Sequence, residues 1–570
     1  MTATTGEHPL MLDQAIVDLR RGAATWTATS LGERIALLER LMPRVLSEAE
    51  PMVASAAVAK GYQPGSPWAA EDWANGPWAI AQNIGAYLHV LRRLQTGQDP
   101  LPARAIRERH GRTVVAVFPA TTWDRLLLNG FRAEVWMAPG ISPVQALADA
   151  CREYRGHPGE SGVSLVLGAG NVAAITALDI LHMLYAEGHV VIAKMNPVNA
   201  YMRPHFEAIF TEFVDSGWLR FVDGGADAGS YLTHHDGVDT VHVTGSATTH
   251  DAIVWGTDAA AAERRRDDKP LLAKPFTSEL GGVSPCIVAP GTWSDADFRF
   301  QAEHIVTSKL NNAGHNCIAT QVLILPAEWD GSDRLLDQIR AVLASLPPRP
   351  DYYPGADRRL DNVLESHPGA ESFADRGCGL LVPDMDIETS ALLDDEVFAS
   401  ALGVVRLPGA DPQSFLEAAV AFANDRLPGT LGATLIVDPS TEKSHRAAVD
   451  TAIADLRYGT LGVNVWSGVG FLLGYTPWGA YPGHTRHEIG SGVGFVHNAF
   501  MLDGVEKTVL RAPFAPTPRG LFSGAPSISP KPPYYATNRT GTTTIRRVTR
   551  FTTRPSAFQL PGIFASALRG

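Results

Sequence analysis

Cysteine is scarce in this 570-residue chain. There are four, Cys151, Cys286, Cys317 and Cys378, and none sits in a Cys-x-x-Cys pair. That excludes a disulfide framework and a cysteine-built zinc site, and it fits a reducing compartment. Long apolar runs are missing as well. The longest stretch poor in charge, 163–178, is broken by Gly168, Gly170 and Asn171 and reads as strand, turn and helix, so no membrane span is expected. No sustained apolar segment follows Arg20-Arg21, which predicts a cytoplasmic protein. The histidines are dispersed without ligand spacing, which predicts no metal. There is no Gly-x-Gly-x-x-Gly fingerprint and no internal repeat. Acidic residues vanish after Glu506: from Lys507 onward ten Lys or Arg stand without one Asp or Glu, although the whole chain carries a net charge of -12. An acidic body with a basic tail predicts that the tail straps onto its own or a neighbouring subunit, with no nucleic-acid partner.

What is present describes an ordinary globular protein, 45% hydrophobic and 19% charged, long enough for two to four domains. Residues 1–110 read as a mainly helical region, with helical spacing over Glu33–Leu46. Trp68, Trp73 and Trp78 follow in a Pro/Gly-broken stretch and read as core, with a substrate entrance as the alternative. From Thr113 the pattern becomes α/β. Strands are expected at Thr113–Phe118, Val163–Leu167, His189–Ala193, Leu219–Val222 and Thr240–Val243, with helices at Val172–Ala186 and Asn199–Asp215. Such alternation builds a parallel sheet that binds ligands beyond the carboxyl ends of its strands. A second α/β unit over 281–480 carries Cys317, with strands at Ser284–Val288, Gln321–Leu325 and Ala433–Val437. The expected division is 1–110, 111–280, 281–480 and 481–570. The last part is Pro-rich at Pro513–Pro518 and Pro526–Pro533, and its Thr540–Thr553 stretch has strand propensity.

The chemistry centres on two residues. Cys317 follows Asn311-Asn312-Ala313-Gly314-His315-Asn316, and Glu279 stands in Ser278-Glu279-Leu280-Gly281-Gly282. Covalent catalysis on a carbonyl needs a sulfur to attack and a base to activate the water that releases the acyl group. Either residue alone has a plain alternative, since most cysteines are small core residues. Gly168-Ala169-Gly170-Asn171 ends a buried strand, where the Asn171 amide can meet an oxyanion or merely shape a turn. Lys194 ends the neighbouring strand, suited to a ribose or phosphate or to solvent. Gly245-Ser246 precede a helical segment, so phosphate at a helix N-terminus competes with an ordinary capped turn.

In this order Asn171, Lys194, Gly245-Ser246, Glu279-Leu280-Gly281-Gly282, Cys317 and Glu396-Val397-Phe398 resemble the aldehyde dehydrogenase superfamily, over roughly residues 110–500. Asn464 and Pro477-Trp478-Gly479 look like its C-terminal landmarks. The resemblance implies an α/β protein with a Rossmann-like parallel-sheet cofactor domain, an α/β catalytic domain and a small oligomerisation element. It implies oxidation of an aldehyde to an acid through a Cys317 thiohemiacetal and thioester, with Glu279 as base and Asn171 at the oxyanion. Gly168, Ala169, Lys194, Gly245, Ser246, Glu396 and Phe398 are then the cofactor-binding residues, for NAD or NADP. Pro197 stands where NAD-preferring members often carry Glu, which leans the choice toward NADP. His315, His250 and Val283 also depart from the family pattern. The resemblance further implies a homodimer or homotetramer, with Phe131–Met137 as a protruding strand in the 131–140 segment. A CoA-acylating enzyme and a non-catalytic nucleotide-binding scaffold are the competing readings.

Overall fold

The computed structural model describes residues 9–156, 161–409, 411–522 and 527–570. Residues 1–8 of the expected N-terminal region and Pro526 lie outside these. Two sheets organise the rest. The smaller has six strands, in the order Gly492–Val493, Phe276–Leu280, Thr240–Gly245, Val163–Leu167, Val190–Lys194 and Leu219–Val222. All pair in parallel except the two-residue edge strand Gly492–Val493. Val163–Leu167 is buried along its whole length, as a strand covered on both faces must be, and this explains its unbroken apolar run. The parallel register pairs Leu167 with Lys194 and Thr244 with Glu279, so the strand ends carrying the candidate residues share one edge of the sheet.

The larger sheet has eleven strands. At its centre Thr460–Val463, Gly432–Ile436, Ser284–Val288, Thr320–Pro326 and Ala401–Leu407 run in parallel. Val505–Arg511 joins Thr460–Val463, and Arg132–Met137, Arg112–Phe118 and Ile106–Arg109 extend the sheet beyond it. Two expectations are corrected here. The strand expected at Thr113–Phe118 forms, but in this sheet rather than in the cofactor sheet. The 131–140 segment does not protrude: Arg132–Met137 is hydrogen-bonded on both edges within the chain, to Arg112–Phe118 and to Val505–Arg511. Its Ala133, Val135, Trp136 and Met137 are buried, so apolar residues on both faces mark an interior strand.

The N-terminal region is helical, with Leu31–Ala59 starting at a capping box between Ser30 and Glu33. The tail overturns a third expectation. Thr540–Thr553 is not a strand, and Gly541–Thr553 forms a helix whose buried side includes Thr544, Ile545, Thr549 and Phe551. Helical spacing of the apolar positions outweighs the β propensity of its threonines. The tail does strap onto the acidic body, within the same chain: Arg519 pairs with Asp297 at 2.5 Å, Lys531 with Glu303 at 3.1 Å, and Arg546 with Glu50. Among the described residues no helix is long and apolar enough to cross a membrane.

Candidate active site

The helix Asp295–Leu310 delivers the chain into the turn Asn311–Gly314, where Asn312, Ala313 and Gly314 all take positive φ, 57°, 57° and 75°. Left-handed backbone at two non-glycine residues persists only where surrounding contacts over-determine it. Those contacts are present. The Asn312 amide donates to the carbonyls of Asn171 (3.0 Å) and His315 (2.8 Å), and its oxygen accepts from Lys60 Nζ at 2.7 Å. Its backbone N–H donates to Glu71 at 3.1 Å. At Gly314 a Cβ would collide with the backbone of Ala399 and Ser400, so only glycine fits. His315 closes the turn: Nδ1 donates to the Phe398 carbonyl at 2.9 Å, and the ring packs among Tyr352, Tyr353 and Phe398. Burial pushes its pKa down to about 3, so the ring is a neutral tether.

The N-terminal helical region therefore does more than cover the cofactor sheet. Lys60 and Asp72 form a buried ion pair, Tyr62 donates to Asp72 at 2.6 Å, and Glu71 pairs with Arg349. Nothing in sequence periodicity marks these charges as buried. Their signal was the placing of Lys60, Glu71 and Asp72 among Tyr62, Trp68 and Trp73. All three expected tryptophans are buried. Lys60→Met would strand the Asp72 carboxylate and release Asn312, at an expected cost of about 3–5 kcal/mol. Denaturant unfolding with the midpoint compared to wild type measures it, and an unchanged midpoint would show that the pair does not support the turn.

Beyond the turn, the Cys317 thiol donates to Glu279 Oε1 at 3.2 Å, and the indole N–H of Trp478 donates to the same oxygen at 3.0 Å. Glu279 lies at the end of Phe276–Leu280 and is 4% exposed. Burial lifts its carboxyl to about 7, against the lowering effect of those two donors, with the Asp179 charge adding to the rise. Burial and the Glu279 charge push the Cys317 thiol well above its ordinary value. A buried thiol and a carboxyl that titrates near neutrality thus share one proton. Asn171 is also buried, and one of its amide N–H bonds donates to the His315 carbonyl at 3.1 Å, tying it to the loop that bears Cys317. Next to Cys317, Glu279 and Trp478 lies a cavity of about 20 Å³, whose wall also holds Asp179 and His497. That volume suits roughly one water molecule.

The cofactor candidates lie at the same sheet edge. Gly245 ends its strand, and Ser246 caps the helix Ala247–Trp255 by accepting from the Thr249 N–H at 3.2 Å. Both residues are exposed. His250 is buried inside that helix, stacked on Phe276 with ring centroids 5.4 Å apart, so it fills the interior instead of the turn. A Cβ at Gly168 would collide with the Thr176 side chain, and the Gly168 N–H donates to the Lys194 carbonyl at 3.0 Å. Ala169 is buried. Burial lowers the Lys194 pKa, opposed by the Asp223 charge. Pro197 is the first residue of the short helix Pro197–Met202, capped by Asn196. Glu396 leans against Gly281, where any Cβ would meet its carboxylate; this is the physical reason for glycine in the Glu-Leu-Gly-Gly sequence. Burial and the Glu279 charge raise the Glu396 carboxyl to about 8, and its Oε1 is buried without a hydrogen-bond partner. Phe398 takes φ 42° beside Tyr353. Asn464, the other landmark, accepts from the Val437 N–H at 2.9 Å and joins two strand ends.

Residues 149–353 match the aldehyde dehydrogenase family model. Coniferyl aldehyde dehydrogenase of a Pseudomonas species is 24% identical over 265 residues, 43% of this chain and 51% of that protein. Aldehyde dehydrogenase family 3 member A2 of Rattus norvegicus is 24% identical over 284 residues, covering 47% and 53%. The chain thus spans about half the length of these two relatives. N-succinylglutamate 5-semialdehyde dehydrogenase 1 of Caulobacter vibrioides is 26% identical over 479 residues, covering 78% of this chain and 92% of that one. Among solved structures, a putative aldehyde dehydrogenase from Burkholderia cenocepacia superposes with a TM-score of 0.59 at 20% identity, covering 89% of this chain and 93% of the other. An NADP complex of the NADP-dependent glyceraldehyde-3-phosphate dehydrogenase from Bacillus halodurans gives 0.58 at 18%, covering 89% and 92%. These superpositions establish the fold. The matched segment and these relatives liken the chain to the aldehyde dehydrogenase superfamily, and the Cys317–Glu279 contact joins the end of a strand of one sheet to the turn that precedes Thr320–Pro326 of the other.

Proposed function

We propose that the protein oxidises an aldehyde to a carboxylic acid with a nicotinamide cofactor. The observation that carries this reading is the Cys317–Glu279 contact at 3.2 Å beside a cavity the size of one water. Glu279 takes the thiol proton and Cys317 Sγ bonds to the aldehyde carbon. The carbonyl oxygen gains negative charge and is met by the Cys317 backbone N–H and by the second N–H of the Asn171 amide, whose first is bound to His315. A nicotinamide cofactor held here would supply a hydride acceptor, and loss of hydride from the carbon bonded to Cys317 Sγ would leave a thioester on Cys317. Glu279 passes the thiol proton on to solvent, then takes a proton from water as that water attacks the thioester and returns it to the departing sulfur, while Trp478 holds the carboxylate in place. The acid leaves and the sulfur is free again.

The residues present fit such a cofactor. The buried, unpartnered Glu396 oxygen is an acceptor for a ribose hydroxyl, and the exposed Gly245-Ser246 turn offers helix N–H groups to phosphate. Lys194, Gly168, Ala169 and Phe398 complete the set. The missing acid at Pro197 supports NADP over NAD. The proposed division remains 1–110, 111–280, 281–480 and 481–570, with Arg112–Phe118 and Arg132–Met137 paired into the larger sheet. Four free cysteines support a cytoplasmic location. A homodimer or homotetramer remains part of this reading, but Arg132–Met137 is already paired on both edges, so subunits would meet through another surface. The one-water cavity favours hydrolysis over transfer of the acyl group to CoA.

The test is an aldehyde panel with NAD or NADP, with and without CoA, following the reduced cofactor. CoA-independent turnover, faster with NADP, is expected. Turnover that requires CoA would replace hydrolysis with thioester exchange.

A further inference from the structure

A second cavity is far larger than the one beside Cys317. A chamber of about 790 Å³ lies under the C-terminal tail. Trp78 and Leu88 of the N-terminal helices, Leu472, and Tyr534, Val548 and Phe551 of the tail form much of its wall. That volume lies in the range that encloses a whole drug-sized ligand.

Two structural elements are shared between the chamber and the catalytic pocket. The turn Ala74–Trp78 presents Asn75 to the pocket and Trp78 to the chamber. The short helix Val469–Leu472 presents Phe471 to the pocket and Leu472 to the chamber. Tyr534 lines the chamber and packs into the cluster of Ile318 and Trp466 that Cys317 also touches. Charges on the chamber border are committed elsewhere. Arg92 pairs with Glu39 at 2.6 Å, Arg93 donates to the Asp99 carbonyl, and Asp124 caps its own helix. Arg93, whose partner is a neutral carbonyl, keeps its charge at the rim of a wall that is otherwise largely apolar.

We propose that this chamber holds the body of the substrate, and that the substrate is a long, uncharged, apolar aldehyde whose carbonyl end reaches Cys317 past Phe471 and Tyr534. The C-terminal tail is then a wall of the substrate site as well as a strap. This rests on the dehydrogenase reading above and names its substrate class. Each methylene buried in such a chamber favours binding by about fourfold.

The experiment uses the full chain and straight-chain aldehydes from butanal to dodecanal, with dodecan-1-ol binding followed separately by calorimetry. Expected is a kcat/KM that climbs about fourfold per methylene over several members of the series, mostly through KM. Val548→Trp, on the half-buried face of the tail helix, fills the chamber. It should cut kcat/KM for dodecanal about a hundredfold, leave butanal within about twofold, and abolish dodecan-1-ol binding, by the same per-methylene loss. Thr552→Trp, one turn further along, is the second variant should the first not fold. Equal kcat/KM for butanal and dodecanal would overturn the proposal, as would a Val548→Trp enzyme that still prefers the long substrate. If no aldehyde is oxidised, the dehydrogenase reading itself fails. Dodecan-1-ol then decides the chamber alone: tight binding lost in Val548→Trp supports it, and no binding overturns it.

Discussion

Cys317→Ala should abolish aldehyde oxidation, by roughly ten-thousand-fold or more, while nucleotide binding stays within about twofold of wild type. The size of the loss follows from what else is present in the site. No other thiol can take over, because Cys151, Cys286 and Cys378 are buried elsewhere in the fold. Glu279 lacks the geometry of a substitute nucleophile, with Oε1 fixed by the Trp478 indole. Nucleotide binding is expected to survive because Gly245 and Lys194 end strands of the six-stranded sheet and Ser246 caps the helix that follows, whereas Cys317 follows a turn of the other sheet's helix. Steady-state rates and thermal shifts with NAD and NADP on the same preparation measure both halves. Residual turnover above about one hundredth of wild type would remove Cys317 as the nucleophile. Lost turnover with lost nucleotide binding would instead point to a collapsed Asn311–Gly314 turn, which far-ultraviolet circular dichroism and unfolding midpoints would show.

The reactive pair was legible in the sequence because each partner carries its own backbone requirement. Gly314 and Gly281 are glycines that no side chain can replace, one against Ala399 and one against Glu396. Such requirements leave a local mark. The buried strand Val163–Leu167 was legible for a similar reason, since a strand covered on both faces is apolar throughout. What periodicity does not carry is the identity of the sheet a strand joins. Thr113–Phe118 has the right pattern for either, and pairing with Arg132–Met137 decides the matter. Nor does it reveal that residues 60–75, far from any motif, hold the nucleophile turn through Lys60, Glu71 and Asn75. These contacts span more than two hundred residues of sequence and exist only once the chain has folded. Thr540–Thr553 shows the reverse error. Its threonines favour a strand when taken singly, but the spacing of Thr544, Ile545, Thr549 and Phe551 is helical, and packing against the N-terminal helices rewards that spacing.

Glu279→Gln separates the two proton transfers assigned to one carboxylate. Steady-state turnover should fall about a hundredfold to ten-thousandfold, the usual worth of a positioned general base. A first burst of reduced nucleotide near one per site should persist, because the thiol can lose its proton slowly to solvent, whereas Glu279 is the carboxylate in contact with Cys317 where water must attack. Burst rate should therefore fall less than turnover. The pH profile gives an independent check. A base works only when deprotonated, and burial holds the Glu279 carboxyl at about 7. Wild-type kcat should then rise with pH through an apparent pKa near 7 and flatten above it; in Glu279→Gln that limb should disappear. Glu396, raised to about 8 by burial and by the Glu279 charge, is the confounding group. Glu396→Gln distinguishes them: it should weaken nucleotide binding and leave the limb near 7 in place, because Glu396 is still largely protonated where Glu279 titrates. Full turnover in Glu279→Gln would free Glu279 from both steps. A limb that vanishes only in Glu396→Gln would reassign the base to that residue.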